Sequence, residues 1–120
     1  MAVNINNLTV GHYGWMISAD SADISGVEVL LGAQGVGTRI RVDFLRINST
    51  GNISITLGEG EGIPGALDVD LIGPVLFAAG QTLDWDFRGR GGMLLSDNIL
   101  LAILGSGAGQ VSIFAHGRIE

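Results

Sequence analysis

Leu83-Asp84-Trp85-Asp86-Phe87 places bulky apolar side chains at every second position with aspartates between them. Successive side chains of an extended strand point to opposite faces, so this pattern predicts a strand with one dry face and one wet face. The same period runs outward in both directions. Residues 38–44 carry Ile40, Val42 and Phe44 on one face and Arg39, Arg41 and Asp43 on the other. The phase then slips, because Leu45 and Ile47 fall on the side that the charges had used. A bulge near Phe44 and Leu45, or a strand buried on both sides, would account for the slip. Residues 52–57 align Ile53, Ile55 and Leu57 after a turn at Asn48-Ser49-Thr50-Gly51, and Leu67, Val69 and Leu71 alternate with Asp68 and Asp70. Further strands are predicted over 15–18, 27–31, 74–77, 99–104 and 110–116, the last two joined by a tight Gly105-Ser106-Gly107-Ala108-Gly109 connection.

No window shows a helical stripe of useful length. About eight short strands at roughly 8–12-residue spacing predict an all-β fold, an antiparallel β-sandwich or jelly roll. Residues 1–14 have weak periodicity and read as an N-terminal arm or first edge segment; 15–120 read as a single β-sandwich domain. Met1-Ala2-Val3-Asn4-Ile5-Asn6-Asn7 lacks a basic segment followed by an apolar run, so no secretory signal is expected. The longest apolar stretch, Ile99 to Leu104, is far short of the roughly 20 residues a spanning helix needs.

The composition is unusual for a free-standing domain: 47% hydrophobic residues, 20 glycines and 15% charged residues, against about 25% charged in typical domains. A folded monomer of this size exposes on the order of 6,000 Å². Charged side chains are too few to cover that area, which predicts burial of part of it against other chains. The net charge of −6, with six arginines and no lysine, argues against nucleic acid and anionic membrane surfaces as partners. With no cysteine, disulfides, thiol nucleophiles and thiolate metal sites are excluded.

Motifs that carry chemistry elsewhere read as structural here. Gly60-Glu61-Gly62-Ile63-Pro64-Gly65 fits G-x-G-x-x-G, but a phosphate cradle needs a following helix and no acid beside it. Glu59, Glu61, Asp68 and Asp70 could gather around a hard cation, as could Asp84 and Asp86, yet neither group has the density of a calcium loop. They read as solvated or cross-strand paired acids. His12 and His116 are the only histidines, and no G-x-S-x-G elbow accompanies them. The single Gly89-Arg90-Gly91-Gly92 element reads as a turn. No catalytic residue, metal ligand or cofactor is therefore expected.

From Gly51 onward the order of features is informative. A glycine-rich link leads to Gly65-Ala66-Leu67-Asp68-Val69, then to Pro74-Val75-Leu76-Phe77-Ala78-Ala79-Gly80-Gln81-Thr82-Leu83. Asp84-Trp85-Asp86-Phe87, an apolar hairpin and Val111-Ser112-Ile113-Phe114-Ala115 follow. This stretch, roughly the last 70 residues, resembles the tailed-phage head decoration (cement) proteins, in which a Leu-Ala-Ala-Gly-Gln step introduces a strand. The resemblance implies a trimeric jelly roll made in the host cytoplasm and bound to the outside of a virion head. Its partners would be further copies of itself and the major capsid protein. The apolar runs then suggest Val27, Val29, Leu31, Ile99, Leu101 and Ile103 as the subunit interface. Capsid contact would fall to the N-terminal segment, around His12, Tyr13 and Trp15, or to a loop edge. The alternative is a trimeric fibre-head or lectin-like module, with Tyr13 and Trp15 stacking on a cell-surface glycan. An enzyme is not expected.

Overall fold

A computed structural model describes residues 4–11, 14–21, 26–107 and 110–120. The strands are β1 (Asn4–Val10), β2 (Gly14–Ser21), β3 (Val27–Leu31), β4 (Arg39–Ser49), β5 (Ile53–Glu59), β6 (Val69–Phe77), β7 (Thr82–Asp86), β8 (Met93–Asp97), β9 (Leu101–Gly105) and β10 (Val111–Ile119). A single 3-10 turn, Arg88–Arg90, is the only helical element among the described residues, and none of them forms a helix long and apolar enough to cross a membrane.

The strands form two antiparallel sheets. One has the order β1-β2-β10-β4-β7, with β8 also paired to β4; the other has the order β3-β9-β5-β6. The chain crosses between the sheets at each step from β2 to β5, again from β6 to β7, and at each step from β8 to β10, so β9 and β10, expected to be joined as a hairpin, lie in opposite sheets and do not pair. The resulting orders, β2-β10-β4-β7 facing β3-β9-β5-β6, are those of a jelly roll, two interlocked Greek keys. Residues 4–10 therefore form a first edge strand on β2.

Inward rows cross the larger sheet as Ile17, Ala115, Leu45 and Trp85, then Ala19, Ile113, Ile47 and Leu83. They meet Ile53, Ile55, Leu57, Phe77, Leu101 and Ile103 from the smaller sheet in one core. Phe77 and Trp85, one from each sheet, bring their ring centroids to 6.4 Å. Burial of these side chains at about 25 cal/mol per Å² is the main favourable term of the fold. Buried Glu59 accepts hydrogen bonds from the Ser96 amide at 2.9 Å and hydroxyl at 2.5 Å, tying β5 to β8 of the opposite sheet.

The phase slip in β4 has one cause. His116 pairs with Phe44 and Gly117 with Val42, so Asp43 is left out of the ladder as a bulge. Ile40, Val42, Leu45 and Ile47 are all buried as a result, and Phe44 is turned to the outer face, away from Ile40 and Val42. The same defect breaks the strand on the far side. β7 pairs with β4 from Phe44 to Asn48 and β8 pairs from Arg39 to Val42, while the Asp43 carbonyl accepts the Phe87 amide at 2.9 Å.

Two segments expected as separate strands, around Leu67–Val69–Leu71 and over 74–77, merge in β6. Proline is tolerated there because β6 is at the edge of its sheet. The connection to β7 explains the Ala-Ala-Gly-Gln step. Gln81 donates its amide to the Ala78 carbonyl at 3.1 Å, its side-chain Oε1 accepts the Ala78 amide at 2.9 Å, and Gly80 takes φ 77°. These contacts close the turn that carries the chain from one sheet to the other.

Candidate functional site

The outer faces of the two sheets are chemically opposite. On the larger sheet, directly paired residues form three outward rows: Met16, His116, Phe44 and Asp86; Ser18, Phe114, Arg46 and Asp84; Asp20, Ser112, Asn48 and Thr82. Phe44 lies at the centre of an aromatic group. Its ring stacks on His116 at 5.6 Å and tilts toward Phe114 at 6.3 Å, and Phe114 meets His116 edge-on at 6.0 Å. The guanidinium carbons of Arg46 and Arg88 stand 5.5 and 5.7 Å from the Phe44 centroid, within cation–π range.

The arginines are held by forked contacts to carboxylates. Arg46 reaches Asp84 at 2.7 and 2.9 Å, Arg88 reaches Asp86 at 2.9 and 2.7 Å, Arg118 reaches Asp43 at 3.0 and 2.9 Å, and Arg41 reaches Glu120 at 2.7 and 2.6 Å. Such planar, two-point pairs fix orientation more than they add stability at an exposed surface. The Arg88 side chain and its backbone amide hold the Asp86 carboxyl down to about 2. Hydrogen bonds from Arg46 and Arg41 likewise depress Asp84 and Glu120. Beside the aromatic group is a shallow depression of about 200 Å³, lined by Ser18, Asp20, Arg46, Asn48, Ser112 and Phe114.

The smaller sheet presents a different surface. Its outward rows are Val27, Leu104 and Thr56, then Val29, Ala102, Gly58 and Asp70, then Ser54 and Leu76. Asp70, on the edge strand β6, is the one charged residue in these rows. Val29 is 43% exposed and Leu76 73%. The Leu67 side chain lies over Gly58, where a Cβ would come within 2.7 Å of its Cδ1.

Trp15, expected at a capsid or glycan contact, is only 3% exposed and donates its indole N–H to the Arg41 carbonyl at 3.2 Å. The alternation of β2 turns Trp15, Ile17, Ala19 and Ser21 inward together, so Trp15 is a core residue. His12 and Tyr13 lie outside the described residues. Of the six apolar interface candidates, Leu31, Leu101 and Ile103 are buried in the protein's own core. Val27 and Ile99 are half-buried and Val29 is exposed. Apolar residues at adjacent positions reflect a bulge at β3 and a central position for β9, with one set facing inward.

The acids around residue 60 serve the backbone: Asp68 accepts the Gly62 amide at 2.8 Å and Glu61 accepts the Gly65 amide at 2.9 Å. Among the described residues no group of three metal-ligating side chains converges. Phe44 and Phe114 were not singled out from the sequence, although Val111, Ile113 and Ala115 alternating with Ser112, Phe114 and His116 carries the signal. The chain matches no protein-family model and no curated protein at a significant level.

Proposed function

We propose that this protein is a structural subunit, without catalytic activity, that assembles with copies of itself and decorates the outside of a virion head. The observation that carries the reading is the charge-poor outer face of the β3-β9-β5-β6 sheet, where Asp70 at the β6 edge is the one charge in the paired rows and Val29 and Leu76 are exposed, opposite a face rich in paired charges. The accessible part of this face, Val29 and Leu76 with half-buried Val27 and Leu104, fits a partner surface that is equally poor in charge, and a second copy of this chain supplies one. The jelly-roll strand order supports the decoration role, and the resemblance of the chain from Gly51 onward suggests three copies around an axis. Attachment to the major capsid protein falls to the outer edge of β1, which pairs with no strand among the described residues; its seven residues contain neither proline nor charge and can take up a partner strand. Many such weak contacts, multiplied by valency, clamp neighbouring capsomers.

Light scattering at micromolar concentration tests the assembly. The expected mass is about three times 12.4 kDa, falling to a folded monomer in Val29→Asp or Leu76→Asp. A stable wild-type monomer would remove the basis of the reading. Co-sedimentation with tailed-phage heads stripped of their decoration then tests attachment, and a chain that stays in the supernatant refutes it.

A further inference from the structure

The depression on the larger sheet has a composition suited to one class of ligand. Phe114 offers an aromatic surface at one side, and Ser18 and Ser112 are small enough to leave the floor open. Asp20, Arg46 and Asn48 ring it with hydrogen-bonding groups. A pyranose ring has the matching chemistry: an apolar C–H face for an aromatic ring, and pairs of hydroxyls that suit planar carboxylate, guanidinium and amide groups.

Size and charge narrow the ligand. Pockets for drug-sized molecules run about 300–1,000 Å³, so a depression of about 200 Å³ accommodates a single small ring. The Arg46 guanidinium is already bound to Asp84 at 2.7 and 2.9 Å and rests near the Phe44 ring, so an anion finds its charge matched. That disfavours phosphorylated or acidic sugars and favours a neutral one. The site is also rigid. Its residues stand on β2, β10 and β4, three adjacent strands flanked by β1 on one side and β7 on the other, and Asn48 is oriented by Thr82 Oγ1 at 2.8 Å.

We infer that the face formed by Ser18, Asp20, Arg46, Asn48, Ser112 and Phe114 binds a neutral hexopyranose, the terminal sugar of a surface glycan. This inference stands apart from the assembly reading, because it uses the opposite face and does not require a particular oligomer. A decoration subunit with such a site would hold the virion weakly to a saccharide-coated surface, with avidity supplied by copy number.

The test is titration of the isotope-labelled protein with methyl glucoside, methyl galactoside, methyl mannoside and N-acetylglucosamine, followed by amide NMR. One sugar should produce saturating shifts at residues 18, 46, 48, 112 and 114, with a Kd on the order of 1 mM for a ligand of about a dozen heavy atoms. Phe114→Ala should weaken it at least about tenfold, and so should Ser112→Leu, which fills the floor from an exposed position. Absence of saturable shifts with all four sugars up to about 50 mM overturns the inference. Saturating shifts that persist unchanged in both variants overturn it as well, since the sugar would then sit elsewhere. Neither result alters the mass measured by light scattering, so failure of this site is distinguishable from failure of the assembly.

Discussion

Gly117 lies beneath the bulge in β4, where a Cβ would fall on the Arg41 carbonyl oxygen and reach within 3.0 Å of the Trp15 ring. Backbone and a buried indole cannot both retreat, so Gly117→Ala should cost about 3 kcal/mol and lower the thermal midpoint by on the order of 10 °C. Gly80 is the contrasting case. Nothing lies within 4 Å of its Cβ position, but its φ is 77°. Gly80→Ala should therefore cost about 1 kcal/mol, through backbone conformation alone. Calorimetry of the two variants separates the mechanisms, and equal midpoints would contradict the assignment. The sequence does not mark Gly117, whose close approach arises from tertiary geometry, whereas Gly80 belongs to the Ala-Ala-Gly-Gln step, a local turn that the sequence does mark. Trp15 escaped a sequence reading for a related reason. A tryptophan beside Tyr13 and His12 looks like part of an exposed aromatic group, and only the register of β2 against β10 shows that its side chain turns inward.

At the level of elements, β7 was the most legible strand: Asp84 and Asp86 face outward and Trp85 inward, as their alternation predicts. β4 was legible except for where its bulge falls, and that one residue moved Phe44 from the expected inner face to the outer one. β8 was not legible, since Met93-Leu94-Leu95 does not alternate and its pairing depends on the break opposite Asp43. The outer aromatic group was hidden by size. In β10 the inward residues taper through Ile113, Ala115 and Gly117 while the larger Phe114 and His116 point out, the reverse of a simple hydrophobicity ranking. The charge pattern of β7 and β4 predicts acid sensitivity. Asp86 is held down to about 2 from 3.8, so its stabilising contribution is complete above about pH 4 and is lost as the pH falls toward 2; Asp84 and Glu120 shift in the same direction. Thermal midpoints should be level from neutrality to about pH 4.5 and fall below it, with Asp86→Asn showing a shallower acid slope. An identical slope in that variant would show that the Arg88–Asp86 pair contributes nothing.

Across the whole molecule, the exposed area is 5825 Å², close to the roughly 6,000 Å² expected of a monomer this size. Most of the surplus of apolar residues is thus taken up by a two-layer core rather than left on the surface. The low charged fraction agrees with a face that is poor in charge, but composition could not locate that face. Runs such as Val27 to Leu31 contain both core and surface positions, and their assignment needs the partner strand. The expectation of a partner now rests on fewer residues, chiefly Val29 and Leu76, which is why single aspartate substitutions suffice to probe it.

The order of strands also sets the order in which the protein can be completed. β9 and β10, which follow all the other strands in the chain, occupy interior positions: β9 between β3 and β5, and β10 between β2 and β4. While the chain is being synthesised, neither sheet can zip across its middle, and four strand edges remain open until the last two strands emerge. Folding is thereby delayed until synthesis of those strands, and then proceeds through distant pairings on the slow, millisecond-to-second scale of all-β topologies. These two strands are the latches of the two layers, one for each, and the nascent chain before them is the form most exposed to aggregation.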